Sequence, residues 1–264
     1  MKLVAFDLDG TLVGRDLVLR PRVREAVASM QRAGIAGCIV TGRMYRAAVP
    51  FARELGFSAP VVCYQGAAIV DPDGDVMLRE TPLAAPAVAD VIVAAQAFGV
   101  HLQLYRDDAY YCEHENRFSQ LYAHLSGVQP IVVPSLARTF EGSSATKAVA
   151  IADPSPAAEL ASRFAQRMGT AVYVTRSYPE FIEILSPAVD KGRALQFVAQ
   201  RLGVAIEDTV AIGDSWNDAP LLETAGFGIA MGSAPPELRA VAGAVVSDVQ
   251  GDGVAEAIER YVLA

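Results

Sequence analysis

The chain has 264 residues, 52% of them hydrophobic, and a formal net charge of −8 at pH 7. This length allows one large or two small domains with a sizeable core, and the hydrophobic fraction excludes a disordered chain. The acidic balance argues against a nucleic-acid-binding surface, and no apolar run reaches the roughly 18 residues of a membrane-spanning helix.

Two details narrow the class of protein further. The N-terminal stretch MKLVAFDLDG carries charges too early for a secretory signal, so we expect a cytoplasmic protein. The cysteines Cys38, Cys63 and Cys112 have no metal-type spacing and are expected to be small buried hydrophobic residues.

The first 64 residues predict alternating strands and helices. An apolar strand at 3–6 precedes a helix at 21–33, whose apolar residues repeat at helical spacing. A strand at 35–40, a helix ending at Leu55 and a strand at 61–64 follow. This order is typical of a parallel sheet covered by helices.

The middle of the chain has a different pattern. After a hairpin at 68–79, it predicts helices at 86–98 and 156–168 and strands at 101–105, 109–112, 147–151, 171–175 and 181–185. Such antiparallel pairs indicate an α+β domain inserted into the first one. We therefore predict a core domain at 1–81, an inserted domain at 82–186 and the second part of the core at 187–264.

The α/β pattern resumes near the C-terminus. It predicts helices at 192–202, up to Leu222, near Pro236 and at 254–262, and strands at 209–212, 228–231 and 244–246. The predicted fold class is therefore α/β, with a doubly wound, mainly parallel, Rossmann-like sheet and an inserted α+β domain.

Polar residues follow several of the predicted strands. They are Asp7 and Asp9, Thr41-Gly42-Arg43, Gln65-Gly66 and the run Gly213-Asp214-Ser215-Trp216-Asn217-Asp218; Lys191 begins a predicted helix. In open α/β sheets, ligands bind outside the carboxyl ends of the strands. These residues are therefore expected to form one site.

Three carboxylates at this edge require a cation. Residues two apart on an extended strand point the same way, so Asp7 and Asp9 can face one site, where they and Asp214 would repel one another. Hard oxygen ligands of this kind suit Mg²⁺, which usually takes few carboxylates together with phosphate oxygens. Thr41, loop amides and Lys191 suit the other oxygens of a phosphoryl group. The pattern predicts that one carboxylate attacks phosphorus and the second moves a proton.

These motifs resemble those of the haloacid dehalogenase-like hydrolase superfamily. The segment Asp7-Leu8-Asp9-Gly10-Thr11-Leu12 is similar to its first motif, Thr41-Gly42-Arg43 to its second, Lys191 to its third, and the run from Gly213 to Asp218 to its fourth. The insertion resembles the large cap domain of the Cof-like phosphatases. Cof-like members often have Asn-Gly where this chain has Gln65-Gly66, and the resemblance assigns Gln65 no role.

The resemblance implies roles for individual residues. Asp7 is the nucleophile, which forms an aspartyl-phosphate, and Asp9 is the general acid and base. The implied Mg²⁺ ligands are Asp7, the backbone carbonyl of Asp9, Asp214 and, through its support of the metal shell, Asp218. The implied phosphate-binding residues are Leu8, Thr41, Gly42, Lys191 and Asn217.

The resulting prediction is a Mg²⁺-dependent phosphatase acting on a small phosphorylated metabolite such as a sugar phosphate. A phosphomutase would use the same intermediate, and the motifs do not separate the two. A phospho-accepting signalling module is the alternative from another class, although Asp9 and the inserted domain argue against it. Neither the substrate nor the oligomeric state can be read from the sequence.

The inserted domain is expected to close over the site and to recognise the rest of the substrate. Its candidate substrate-contacting residues are Tyr105, Arg106, His114, Arg117, Arg176 and Tyr178. In the core, Arg43 either contacts substrate or pairs with an acid.

Overall fold

The computed structural model describes the whole chain from Met1 to Ala264. Its strands are β1 (Leu3–Phe6), β2 (Ala36–Ile39), β3 (Val61–Cys63), β4 (Ala68–Asp71), β5 (Val76–Glu80), β6 (His101–Arg106), β7 (Ala109–Cys112), β8 (Ile131–Val132), β9 (Lys147–Ile151), β10 (Tyr173–Tyr178), β11 (Phe181–Leu185), β12 (Thr209–Gly213), β13 (Phe227–Ala230) and β14 (Ala244–Val245). Its α-helices are α1 (Pro21–Arg32), α2 (Tyr45–Glu54), α3 (Ala85–Phe98), α4 (Arg117–Ser126), α5 (Leu136–Thr139), α6 (Pro154–Met168), α7 (Lys191–Arg201), α8 (Ala219–Thr224), α9 (Pro236–Val241) and α10 (Gly253–Ala257). None of the helices is both long and apolar enough to span a membrane.

The chain divides into two compact units. The first comprises Met1–Leu78 and Asp190–Ala264, and the second Arg79–Val189. The predicted inserted domain, 82–186, lies within the second unit.

A five-stranded parallel sheet forms the centre of the first unit. Its strand order is β14-β13-β12-β1-β2, and every neighbouring pair is parallel. All four residues of β1 are buried, as expected for a parallel strand covered on both faces. Because β1 lies between β12 and β2, the carboxyl ends of these three strands are adjacent. The predicted α/β class, with its mainly parallel sheet, is confirmed.

A smaller sheet in strand order β3-β4-β5 lies next to the β2 end of the parallel sheet. A parallel bridge between Val40 and Val62 connects the residue after β2 to β3. The turn that follows β3 is thereby held close to the end of β2.

The second unit contains a six-stranded sheet in the order β10-β11-β9-β6-β7-β8. Its pairs are antiparallel, except for β7 with β8. Alternate residues of the central strands, among them Leu104, Ala148 and Ile184, belong to an apolar core with α3 and α6. Residues on the other face include Tyr105 and Lys147, which are paired across β6 and β9.

Helices α4 and α5 and strand β8 were not predicted, so the assignment of residues 113–146 was incomplete. Helix α4 has a local signal, because the Asn116 side chain accepts from the backbone amides of Phe118 and Ser119 while the Ser119 hydroxyl accepts from the Asn116 amide. Such reciprocal capping marks a helix start. The last predicted helix, at 254–262, is only in part α-helical, since Ile258–Val262 forms a π-helical turn.

Candidate active site

Three adjacent strands of the parallel sheet carry the predicted site residues at their carboxyl ends. Asp7 directly follows β1, Thr41 lies two residues beyond β2, and Asp214 directly follows β12. The adjacency of these strands brings together residues that lie up to about two hundred positions apart in the sequence.

Lys191 is buried between two carboxylates. Its Nζ lies 2.6 Å from Asp7 Oδ1 and 2.6 Å from Asp218 Oδ1, and the side chains of Lys191 and Asp218 are fully inaccessible to solvent. The N-cap residue Asp190 accepts a hydrogen bond from the Arg193 amide at 2.7 Å, which fixes the start of α7. Helix capping thus fixes Lys191 as the first residue of α7, from which its side chain reaches the two carboxylates.

Asp214 completes a group of three acids. Carboxylate oxygens of Asp7, Asp214 and Asp218 all lie within 4.8 Å of one another. Thr11 Oγ1 donates to Asp214 Oδ1 at 3.2 Å, and Asp218 Oδ2 accepts from the Asp214 and Ser215 amides at 3.0 Å. These contacts fix the directions of the carboxylates.

Gly10 permits this arrangement. It has a φ of +81°, and a Cβ at this position would lie 2.1 Å from Asp214 Oδ2. Any other residue would combine backbone strain with overlap.

The electrostatics of this cluster are unbalanced, because three carboxylates face one ammonium group. Burial raises the pKa of Asp7 from 3.8 to about 7, repulsion by Asp218 and Asp9 adds to the rise, and Lys191 opposes it. Burial and the charge of Asp7 raise the pKa of Asp214 well above its ordinary value. Burial lowers the pKa of Lys191, but the neighbouring Asp218 and Asp7 raise it by more. A hard divalent cation fits this set of oxygen donors.

Asp9 has a different partner from Asp7. Its carboxylate accepts two hydrogen bonds from Arg43, at 2.8 Å from Nε and 2.6 Å from Nη2. Strand β1 ends at Phe6, so the two-residue period does not extend to Asp9. Arg43 was predicted either to contact substrate or to pair with an acid, and in the structure it pairs with Asp9.

The loop after β2 and the turn after β3 are hydrogen-bonded to each other. The Tyr64 and Gln65 amides donate to the carbonyls of Arg43 and Thr41, both at 2.9 Å. Thr41 Oγ1 accepts from the Arg43 amide at 3.1 Å, and Asn217 Nδ2 donates to Gln65 Oε1 at 2.9 Å. The structure thus places Thr41, Gln65 and Asn217, from three parts of the chain, in one connected group beside Gly42. Leu8, whose amide was expected to bind phosphate, is a buried residue between Asp7 and Asp9.

The six candidate residues of the second unit are not brought together. Tyr105 is fully buried, and its hydroxyl donates to Gln103 Oε1 at 2.9 Å. The Arg106 guanidinium lies 4.5 Å from the centre of the Phe140 ring, within the helix-covered side of the unit. These two neighbours in sequence therefore point to opposite faces of the sheet.

The other four candidates are equally dispersed. Arg117 forms an exposed ion pair with Asp153 at 2.7 Å, and His114 lines a cleft beside α3. Arg176 and Tyr178 lie on β10 at one edge of the six-stranded sheet.

Sequence reasoning missed a buried ion pair in the second unit. Lys147 Nζ lies 2.7 Å from Glu183 Oε2, and the two side chains are 1% and 3% exposed. Ser177 donates to Glu183 Oε1 at 2.7 Å. A signal was available, because Lys147 opens the otherwise apolar strand sequence KAVAI and the chain has only three lysines.

A parallel α/β sheet with acids and a threonine at the ends of adjacent strands, and a buried lysine at the start of a neighbouring helix, is typical of phosphoryl-transfer proteins. A family model described as haloacid dehalogenase-like hydrolase matches residues 4–258. The chain therefore belongs to the haloacid dehalogenase-like hydrolase family, and it is an enzyme of the phosphatase class. The family predicted from the motifs is confirmed.

Individual relatives match along almost the whole chain. Pyridoxal phosphate phosphatase YbhA of Escherichia coli is 28% identical over 270 residues, which cover 99% of each chain. A phosphoglycolate phosphatase of Methanothermobacter thermautotrophicus is also 28% identical, over 264 residues and 99% of each chain. Among solved structures, a haloacid dehalogenase-like hydrolase from Bacteroides thetaiotaomicron has a TM-score of 0.84 at 28% identity and covers 98% of each chain.

Proposed function

We propose that this enzyme is a Mg²⁺-dependent phosphatase that hydrolyses a small phosphorylated metabolite through an aspartyl-phosphate at Asp7. The observation that carries the proposal is the burial of Asp7 beside Lys191, with Asp214 and Asp218 within reach of the same cation. The two relatives named above act on small phosphorylated compounds, which supports the same class of substrate.

The first half of the proposed reaction moves the phosphoryl group to the enzyme. A carboxylate oxygen of Asp7 attacks phosphorus, and the bond from phosphorus to the substrate oxygen breaks. Asp9 gives its proton to the departing oxygen. The Thr41 hydroxyl, the amides of Leu8 and Gly42, and Asn217 donate to phosphoryl oxygens, and Lys191 offsets their negative charge.

The second half releases phosphate. Asp9 accepts a proton from water, whose oxygen attacks phosphorus, and the bond from phosphorus to Asp7 breaks. The carboxylates of Asp7 and Asp214 and the carbonyl of Asp9 would hold Mg²⁺, with Asp218 behind them. When bound, Mg²⁺ supplies positive charge that offsets the repulsion between the nucleophile and the phosphoryl group.

The Arg43–Asp9 pair gives Arg43 a positioning role in this scheme. The two hydrogen bonds hold the Asp9 carboxylate in one orientation, and a planar guanidinium suits such bidentate binding better than an ammonium group does. We assign Arg43 this role instead of substrate recognition.

The second unit is proposed to act as the cap that recognises the part of the substrate beyond the phosphate. The six residues predicted from the sequence remain the candidates, and their dispersion implies that only some of them contribute. Alanine variants that lower kcat/KM for the natural substrate but leave hydrolysis of a small aryl phosphate unchanged would identify the true contacts.

Turnover and trapping test the mechanism directly. We expect many turnovers of p-nitrophenyl phosphate per enzyme in Mg²⁺, and almost none after addition of EDTA. Borohydride reduction after an acid quench should convert residue 7 to homoserine, and Asp9→Asn should increase the trapped fraction. Turnover in Asp7→Asn above a few per cent of kcat would refute the assignment of the nucleophile.

A substrate panel separates the remaining alternatives. Phosphorylated sugars, nucleotides and cofactors, including pyridoxal 5′-phosphate, are compared by phosphate release and kcat/KM. Release of inorganic phosphate without a bisphosphate activator supports a phosphatase over a phosphomutase. A single turnover with no release would instead indicate a signalling module.

A further inference from the structure

The turn after β3 holds a side chain to which the family motifs assign no role. Gln65 is 1% exposed, and both Tyr64 and Gln65 have positive φ values, of 52° and 60°. Neither residue is a glycine, so this backbone conformation is unfavourable and persists only where its surroundings impose it. The turn is bound to the loop after β2 by the two backbone hydrogen bonds described above.

One end of the Gln65 carboxamide has a partner and the other has none. Oε1 accepts from Asn217 Nδ2 at 2.9 Å, whereas Nε2 is buried without any hydrogen-bond partner. An amide donor removed from water without compensation costs free energy, so buried donors are normally satisfied. The arrangement indicates that an acceptor from outside the chain meets Nε2.

Gly42 shows where this acceptor would lie. A Cβ built on Gly42 would be 2.3 Å from Gln65 Nε2. The amide therefore packs directly against the loop of Thr41 and Gly42, whose donors are proposed to hold the phosphoryl group. A phosphoryl oxygen in that loop is within the reach of Nε2 and has the lone pairs that this donor lacks in the free enzyme.

We infer that Gln65 is a phosphate-binding residue, which donates from Nε2 to an oxygen of the bound phosphoryl group while Oε1 holds Asn217. This inference rests on the proposed function and adds a contact to it. Asn217 Oδ1 is also buried without a partner, so a reversal of both amides would only pass the free donor to Asn217. In that arrangement Gln65 would merely support Asn217, and the two arrangements predict different mutational results.

Gln65→Glu tests whether the side chain at position 65 faces the bound phosphoryl group. A glutamate can still accept from Asn217 Nδ2, but it replaces the free donor with an oxygen that repels anions. Tungstate, a stable phosphate analogue, is titrated at saturating Mg²⁺, with the fluorescence of Trp216, the only tryptophan, as the signal. Loss of one hydrogen bond to a charged group corresponds to roughly tenfold weaker binding or more, so we expect at least a tenfold higher Kd. Gln200→Glu, an exposed change of the same charge on α7, should bind tungstate like the wild type.

A cycle of Gln65→Met with Asn217→Ala separates the two arrangements, and it also tests the inference if Gln65→Glu does not fold, as judged by circular dichroism. Independent phosphate contacts predict that the double variant binds tungstate more weakly than either single variant. Equal Kd values for all three would show that Gln65 only supports Asn217 and would overturn the inference. The inference would also be overturned if Gln65→Glu bound tungstate as tightly as the wild type does.

The wild-type enzyme separates this inference from the proposed function. If it releases phosphate from p-nitrophenyl phosphate and binds tungstate while the Gln65 variants are unaffected, the function stands and only the inference fails. If it does neither, both fail together.

Discussion

The Asp7 carboxylate is the group whose replacement gives the most informative measurement. Burial, together with repulsion by Asp218 and Asp9, raises its pKa from 3.8 to about 7 despite the attraction of Lys191. Each pKa unit corresponds to about 1.4 kcal/mol, so above about pH 7 we expect the ionised carboxylate to destabilise the metal-free fold by about 4 kcal/mol. Asp7→Asn removes this charge and keeps the shape of the side chain. The variant should therefore be inactive but more stable than the wild type when no metal is bound.

The sign of the pH dependence follows from the same pKa. Below about pH 4, Asp7 is protonated in both the folded and the unfolded chain, and the substitution has almost no electrostatic effect. Between about pH 4 and 7 the unfolded chain releases this proton while the folded chain retains it, so the wild type loses stability as pH rises. The advantage of Asp7→Asn should therefore grow over this interval and remain constant above about pH 7.

Urea unfolding in EDTA at pH 4.5, 6 and 8, followed by circular dichroism, measures this difference. Asp73→Asn, at an exposed turn position of the same unit, is the matched control and should change stability little at any of these values. Saturating Mg²⁺ should reduce the advantage of Asp7→Asn, because the cation stabilises only a site that keeps its carboxylates. A variant less stable than the wild type at pH 8 in EDTA, or a difference independent of pH, would refute this electrostatic account.

Three further predictions concern other charged groups. Arg43→Lys should slow hydrolysis of alkyl phosphates by roughly tenfold or more relative to an aryl phosphate with a good leaving group, because alkyl phosphates depend on proton donation by Asp9. An equal loss on both substrates would exclude the positioning role. Saturating Mg²⁺ should raise Tm, measured by differential scanning fluorimetry, by more at pH 8 than at pH 5, since protonated carboxylates bind the cation poorly. Asp214→Asn should reduce this increase in Tm. Lys147→Met should lower the free energy of unfolding by about 3–5 kcal/mol because Glu183 remains buried and unpaired, and a double variant with Glu183→Leu should recover most of that loss.

The order of elements was largely predictable, because apolar periodicity and strand-end glycines are local signals. Strands β1, β7, β9 and β11 have the predicted bounds, and most other elements differ by only a few residues at an end. The short strand β8 was not predictable in this way, since Ile131 and Val132 are both exposed and carry no burial pattern. Its place in the sheet is set by pairing with β7, a contact that no local pattern encodes.

The sequence predicted which strand ends meet at the site, but it did not predict which side chains pair there. Asp7 and Asp9 lie two residues apart and were expected to point the same way, yet one binds Lys191 and the other Arg43. These choices depend on where the chain leaves β1 and on the position of a loop that follows another strand. The unpartnered amide of Gln65 has the same origin, since it depends on contacts between three segments distant in sequence.

Charge balance distinguishes a reactive cluster from a structural pair in this molecule. Two of the three lysines are buried: Lys147 faces one carboxylate, and Lys191 faces a group of three acids. A balanced buried pair is complete in itself and needs no ligand to offset its charge. Burial of these carboxylates, together with their mutual repulsion, raises the pKa of Asp7 and of Asp214, and the excess negative charge around Lys191 favours any state in which a cation is bound. The expected instability of the metal-free site and its proposed affinity for Mg²⁺ thus have one physical cause, which is why a single charge-removing substitution at Asp7 is expected to abolish activity while stabilising the fold.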